Sequence, residues 1–368
     1  MKIVISGGGT AGHINPAIAI GNCIKKNEPD SEILYIGSNG SLEKELYGGT
    51  GDKYKLYNSK GLSRKNIIEN FSVLRTNSNA YNQMKRDIKD FAPDIGLSTG
   101  GYISAIAMSA LKASKKPYII HEQNAYPGLS TRILSRHAKK YALAFMEANE
   151  YLKHKDLAVL TGNPIRSDFL STTKEESRKK LGFSQDEKII LCFGGSLGAE
   201  RLNKVFLELA KNTYKEQKYR LIIGTGSRYY EMLCDELKNS KDLKAKKIHI
   251  EKFITNMPDL LSACDLAITR SGAMTISELA AVGKPSILIP SPNVTADHQT
   301  KNADILANIG GAIKITENEL NIKTITNEIN NIIDDESKLK KMSDSLKKVA
   351  IRDADMRIYK ILSSLTES

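Results

Sequence analysis

A histidine directly behind a glycine loop is the first group in this chain placed to do chemistry. Ile3, Val4 and Ile5 form an apolar, β-branched run, and Gly7, Gly8, Gly9, Thr10, Ala11, Gly12 and His13 follow it. Such a run suits a strand buried on both faces. The glycines let backbone N–H groups approach a phosphate, and a helix starting behind them aims its positive end at the same place. Imidazole titrates near neutral pH, so His13 could take a proton from a bound hydroxyl. The alternative is a helix-start residue that only orients its loop. The device recurs at Ile189–Phe193, followed by Gly194, Gly195, Ser196, Leu197 and Gly198. Two copies imply two crevices and two phosphorylated ligands.

Further polar groups cluster at the expected carboxyl ends of strands, where open α/β sheets bind ligands. In the first half these are Gly100, Gly101 and Tyr102, then His121, Glu122, Gln123 and Asn124. In the second half they run from Thr269 to Glu278 and from Asp297 to Gln299. Ser271 and Gly272 precede a helix start at Ala273, Met274 and Thr275, whose N–H groups suit a sugar or pyrophosphate. Glu278 lies one to two turns into that helix. An ionised carboxylate only accepts, so it could take both hydroxyls of a ribose. A lone helix glutamate is more often solvated; the glycine-rich helix start beside this one favours the ligand. Gln299 reads equally as a helix-start residue or a sugar contact.

Two other motif readings fail. Gly7, Gly9 and Gly12 match G-x-G-x-x-G, but a dinucleotide fold expects an acid ending the second strand. Tyr35 to Ser38 supplies none. Asp353 and Asp355 match a metal-diphosphate signature, yet lie in the C-terminal helical tail and read as solvated charge. No protein-held metal and no cofactor is expected.

The elements positioning these groups alternate. Strand-like runs at Ile33–Ile36, Ile95–Ser98, Tyr118–His121, Leu157–Leu160, Arg220–Ile223, Leu266–Thr269 and Ser286–Pro290 are separated by helical stretches. That alternation predicts parallel sheets covered by helices on both faces. With 368 residues, two domains are expected. The boundary falls at Gly162–Arg166, giving 1–163 and 164–345, with a C-terminal helix at 346–368 joining the first. Glu336–Leu365 reads as one or two amphipathic helices striped by Leu339, Met342, Leu346 and Val349. Four scattered cysteines fit a reduced compartment and offer no zinc site.

The formal net charge of +12 asks for an anionic partner. Trp is absent and no stacking platform appears, so nucleic acid is not expected. No apolar run approaches the ~18–20 residues of a membrane helix, and residues 1–5 read as strand rather than leader. Arg64, Lys65 and Arg75 flank Ile67, Ile68, Phe71 and Leu74, a spacing suited to an anionic membrane surface. The same stripe could instead pack on the first domain.

Taken together, GGGTAGHINPA, STGGY, HEQN, GNPIR, GGSLGA, TRSGAMTISE and ADHQTKNA resemble, in order and spacing, the motif set of the MurG family. The resemblance runs from residue 6 to about 303. It implies a GT-B fold, α/β, of two Rossmann-like domains with parallel sheets facing a central cleft. The acceptor would meet the first domain and the UDP-sugar the second. The implied reaction moves N-acetylglucosamine from UDP-GlcNAc to undecaprenyl-linked lipid I, giving lipid II at the cytoplasmic face of the membrane. Thr10, Ala11, Gly12, Asn124, Arg166, Ser196, Ile254 and Gln299 match UDP-sugar-contacting positions, together with Ala273, Met274, Thr275 and Glu278. Ile254 is implied at the uracil and His13 as general base. Gly9, Gly100, Gly101, Tyr102 and Glu122 are expected toward the acceptor and its diphosphate. Ala11 stands where many members have glycine, and Ala105-Ile106 replaces a commoner Gly-Pro. Two rivals remain: a UDP-GlcNAc 2-epimerase, which would not need a lipid-linked acceptor to release UDP, and a non-catalytic nucleotide-sugar-binding subunit.

Overall fold

The computed structural model describes residues 1–61, 67–195, 198–216, 219–238 and 247–367, apart from the side chains of 67–69, 212–216 and 295. Contacts divide the chain into two units, Met1–Ile165 with Ile351–Ser368, and Arg166–Ala350.

In unit 1 the apolar runs become β1 (Lys2–Gly7), β2 (Glu32–Ser38), β3 (Lys53–Tyr57), β4 (Ile95–Gly100), β5 (Tyr118–Glu122), β6 (Tyr141–Leu143) and β7 (Ala158–Leu160). They form one parallel sheet in the order β3-β2-β1-β4-β5-β6-β7. The side-chain period of two splits β1 between both faces. Ile3 and Ile5 pack with Ile14, Ile20 and Ile24 of helix α1 (Ala11–Asn27). Val4 packs on the other side with Met84 and Ile88 of α3 (Ile67–Phe91) and Ile103 and Ala107 of α4 (Tyr102–Ala113). Two short helices complete the first half, α2 (Ser41–Gly48) and α5 (Leu129–Leu134). The helix Ala354–Thr366 buries Ile358 and Leu362 in the α1 layer. Asp353 precedes that helix and pairs with Arg357 at 2.9 Å, a surface pair on its first turn.

Unit 2 repeats the plan with β8 (Ile189–Phe193), β9 (Arg220–Gly224), β10 (Ile248–Glu251), β11 (Leu266–Thr269), β12 (Ser286–Leu288) and β13 (Ala312–Lys314). The parallel order is β10-β9-β8-β11-β12-β13. The helix Lys174–Leu181 opens with a capping box between Thr173 and Glu176 and stops at Gly182, whose φ of 70° is left-handed. It carries Arg178, wholly buried, onto Asp265 at 2.9 Å. The stripe expected on the helix Glu336–Val349 buries Met342 and Leu346, but Val349, its last residue, is exposed.

Each sheet reverses its strand order once, between β1 and β4 in unit 1 and between β8 and β11 in unit 2. Crevices at such switch points lie outside the carboxyl ends of the strands. The glycine loop before His13 and the Gly100–Gly101 turn meet at the first; Gly194, Gly195 and Gly198 meet Thr269 and Arg270 at the second.

Candidate active site

At the first switch point, Thr10 is the N-cap of α1 in extended conformation, and its side chain makes no capping bond. Its Oγ1 instead lies 3.3 Å from His13 Nδ1. The same nitrogen is 3.0 Å from the Gly8 carbonyl oxygen. A carbonyl only accepts, so Nδ1 carries the ring proton and Nε2 of the neutral ring keeps its lone pair. Ala11 and Gly12 are exposed in the first turn beside it.

The two glycines of the β4–α4 turn make room for this histidine. A β-carbon on Gly100 would come 2.7 Å from His13 Cδ2 and 3.0 Å from its Nε2. Both glycines have left-handed φ, 108° and 85°. Tyr102 begins α4, and its hydroxyl donates to the Ser59 carbonyl at 3.1 Å. Gly9, expected toward the acceptor and its diphosphate, has its own N–H engaged inside the loop. Its N–H donates at 2.9 Å to Glu43, a buried carboxylate on α2, and is therefore occupied.

The β5 end is a closed network. His121 is buried, which pushes its ring down to about 4 and keeps it neutral. Gln123 Nε2 donates to its Nδ1 at 2.9 Å, so Nε2 holds the proton and donates to the Gly162 carbonyl at 3.1 Å. The carboxylate of Glu122, expected toward the acceptor, is engaged within its own loop. It is buried, with Oε1 accepting from the Asn124 backbone and side-chain amides at 3.1 Å and Oε2 from Gly128 N–H at 3.1 Å. Its work is to shape the loop that presents half-buried Asn124.

The second switch point opens a cavity of about 850 Å³, formed within unit 2. Its walls include Gly194, Gly195, Gly198, Thr269, Gly272, Thr275 and Gln299. Gly198 has φ 77°, and a β-carbon there would strike the Thr225 carbonyl at 2.1 Å. Ser196 lies outside the described residues. The helix Ala273–Val282 starts behind Gly272, an N-cap with no side chain to bond, and its first turn holds Ala273, Met274 and Thr275. Ser271 ties this start to the next loop by donating to the Gln299 carbonyl at 2.8 Å. Gln299 Oε1 accepts from Ser291 N–H at 2.9 Å, so the amide nitrogen is the end left for recognition.

Glu278 is half-buried, and among the described residues no hydrogen bond holds its carboxylate. Burial pushes it up to about 7, against the opposing pull of the Arg166 guanidinium. Arg166 itself is exposed, 3.4 Å from Asp168 and stacked over Phe169 at 5.2 Å. Ile254 leans over the end of β9, where a β-carbon on Gly224 would meet its Cδ1 at 2.6 Å. It is not part of the cavity wall.

Charged pairs on the wall were not expected from the sequence. Arg270 pairs with Glu317 at 3.0 Å and Lys204 with Glu200 at 2.7 Å, while Arg201, Tyr229 and Asn293 complete the rim. Two of these three cations are paired with carboxylates, and the backbone N–H groups of the glycine loop and helix start are further phosphate donors. Arg270 was legible as part of the motif at the end of β11; its partner, 47 residues on, was not. Among the described residues no cluster of His, Cys, Asp and Glu could hold a metal ion.

Residues 3–143 match the glycosyltransferase family 28 N-terminal domain, and residues 189–358 match the family 28 C-terminal domain. Over its whole length the chain is 39% identical to the UDP-N-acetylglucosamine--N-acetylmuramyl-(pentapeptide) pyrophosphoryl-undecaprenol N-acetylglucosamine transferase of Acetivibrio thermocellus, covering 99% of that protein. This chain belongs to the MurG family of glycosyltransferases. A second relative of that name, from Leuconostoc mesenteroides, is 38% identical over 98% of both chains. Among solved structures, the crystal structure of Acinetobacter baumannii MurG superposes with a TM-score of 0.77 at 22% identity, covering 99% of each chain. The fold is the GT-B arrangement of two parallel α/β domains. The UDP-GlcNAc 2-epimerase of Neisseria meningitidis bound to UDP-GlcNAc also superposes, with a TM-score of 0.69 at 16% identity, 99% of this chain and 100% of that one being covered. Fold alone therefore does not separate a MurG transferase from an epimerase; full-length identity to the transferases does.

Of the segment expected at a membrane surface, residues 67–75 lie on α3. Phe71 is 75% and Leu74 55% exposed, whereas Val73 between them is buried, so this part of the stripe does not join the core. Arg75 is exposed beside them. Arg64 and Lys65 lie outside the described residues, as do the side chains of Ile67 and Ile68. Among the described residues no helix is long and apolar enough to cross a membrane.

Proposed function

We propose that this chain is an inverting transferase that moves N-acetylglucosamine from UDP-GlcNAc to the MurNAc 4-hydroxyl of undecaprenyl-pyrophosphoryl-MurNAc-pentapeptide. The observation that carries the reading is the tautomer of His13. Its Nδ1–H is committed to the Gly8 carbonyl, and Nε2 is the basic end. The acceptor hydroxyl attacks the anomeric carbon, its proton passes to His13 Nε2, and the bond from that carbon to the β-phosphate oxygen breaks. UDP leaves with the bonding pair. One displacement converts α to β configuration.

Unit 2 is the donor domain in this reading. Its cavity takes UDP, with the phosphates on the Gly194–Gly198 loop, Ser196 and the first turn at Ala273, Met274 and Thr275. Those N–H groups stabilise the charge developing on the leaving group. Glu278 accepts the ribose hydroxyls, Ile254 meets the uracil, and Gln299 and Arg166 contact the sugar diphosphate. Unit 1 is the acceptor domain, with Thr10, Ala11, Gly12 and Asn124 toward the transferred sugar. Gly100, Gly101 and Glu122 act on the acceptor side by shaping loops, and Tyr102 lines that side. Phe71, Leu74 and Arg75, with Arg64, Lys65, Ile67 and Ile68, form a patch for an anionic bilayer, placing the enzyme peripherally at the cytoplasmic face of the membrane.

Transfer of labelled N-acetylglucosamine to a short-chain lipid I analogue tests the reading. UDP release that depends on that acceptor supports it. Release or isomerisation of the sugar without acceptor would favour the epimerase alternative.

A further inference from the structure

We propose that Glu43 is a positioning residue for His13, acting through the peptide that joins Gly8 to Gly9. The proposal rests on the reading of His13 as the base and adds a residue to it. Glu43 Oε1 accepts from Gly9 N–H at 2.9 Å, and the carbonyl of the same peptide unit, on Gly8, accepts from His13 Nδ1 at 3.0 Å. Carboxylate, peptide and imidazole thus form one chain of hydrogen bonds. A negative charge at the N–H end of an amide draws its electrons toward oxygen and makes the carbonyl a stronger acceptor. The logic is that of a carboxylate fixing an imidazole tautomer, with a peptide inserted between them.

The surroundings are built for this contact. Glu43 is 4% exposed and lies in the first turn of α2, where the helix dipole favours an anion. One turn on, Tyr47 donates to the Gly7 carbonyl at 2.7 Å, so α2 holds the loop at two points. Close quarters exclude side chains on three sides. A β-carbon on Gly40 would come 2.6 Å from Glu43 Oε2, one on Gly8 3.2 Å from Oε1, and one on Gly101 2.3 Å from the Gly8 oxygen. When Nε2 takes the substrate proton the ring becomes cationic, and the Nδ1–H bond to a carboxylate-polarised carbonyl strengthens. The relay therefore works mostly in the transition state, which affects kcat rather than donor affinity.

The test uses the full chain labelled with ¹⁵N-histidine, with the His13 signal assigned by its loss in His13→Ala. Nitrogen shifts should show the Nδ1–H tautomer in the wild type and a tautomer mixture in Glu43→Ala. In that variant kcat should fall ~10–100-fold, the range for partners that orient an acting histidine, with the UDP dissociation constant unchanged. Glu43→Gln keeps an acceptor oxygen without the charge, and its kcat should fall by less. Wild-type kcat in Glu43→Ala overturns the proposal, as does full kcat in Glu43→Gln. So does loss of kcat in step with UDP affinity and melting temperature while the His13 tautomer stays fixed. Turnover surviving in His13→Ala would instead remove the base itself; an inactive His13→Ala with a fully active Glu43→Ala removes only the relay.

Discussion

Gly101 stands so close under Gly8 that a β-carbon on it would lie 2.3 Å from the Gly8 carbonyl oxygen. That oxygen is the one that meets His13 Nδ1, so a glycine 88 residues away from the histidine leaves room for the carbonyl that fixes its ring. The backbone at Gly101 also has φ 85°, which an alanine adopts only with strain. Gly101→Ala is expected to cut kcat by ~10²-fold, the lower end of a general base's contribution. UDP binding, assigned above to unit 2, should be unchanged by calorimetry.

Glu278 couples affinity to pH. Its carboxyl is raised by burial to about 7, so the apo protein holds that proton through the range where the unfolded chain has lost it. The sign follows: this group favours folding below the usual carboxylate range, and that contribution fades as pH rises through about 7. Glu278→Gln should therefore raise the apo melting temperature at pH 8, by ~2–4 °C for each kcal/mol regained in a domain of this size. Ligand behaviour should run the other way. Wild-type UDP affinity should gain on that of the Gln variant between pH 6 and 8, as the ionised carboxylate becomes available to the ribose. Calorimetry across that range checks both directions.

Gln299 has two jobs at its two ends. Its oxygen accepts the Ser291 N–H at 2.9 Å, while its amide nitrogen is assigned to the sugar. Gln299→Ala orphans a backbone donor and should cost ~1–3 kcal/mol of stability if that donor stays dry. Gln299→Glu retains the acceptor, so its melting temperature should hold. It should nevertheless lose preference for UDP-GlcNAc over UDP, measured as the ratio of dissociation constants.

Phe71 and Leu74 expose large apolar side chains on one helix with Arg75 beside them. Phe71→Glu with Leu74→Glu should reduce cosedimentation with vesicles containing anionic lipid. Activity on a short-chain soluble acceptor should survive. Loss of activity on the soluble acceptor as well would place these residues in acceptor binding instead.

The alternation of apolar runs and helical stretches was enough to read parallel sheets covered by helices, while the GT-B class came from the resemblance of the motif set. The strands that escaped are informative. β3 is an exposed, alternating Lys-Tyr-Lys-Leu-Tyr run at a sheet edge, and β10 and β13 are edges too, so none carries the continuous apolar signal of a central strand. β6, though interior, is only three residues long. At the site, glycine loops and helix starts were legible because backbone geometry dictates their residue types. Glu43 was not, since nothing in its local sequence marks a carboxylate whose partner is 34 residues earlier. The partners of Glu122 are close by, at Asn124 and Gly128, yet its residue type alone did not show that its loop folds back onto the carboxylate. Burial and hydrogen bonding, not residue type, separate a carboxylate that meets substrate from one that shapes a loop.

His13 carries the central claim, and one comparison tests it most directly. Transfer of labelled N-acetylglucosamine from UDP-GlcNAc to a soluble lipid I analogue is measured at saturating substrates for the wild type and His13→Ala, with UDP-GlcNAc binding followed by calorimetry. Turnover in the variant should fall by ~10²–10⁴, as for loss of a general base, while donor binding stays within a few-fold. Near-wild-type turnover would contradict the account, because the proton of the attacking hydroxyl would then leave by another route.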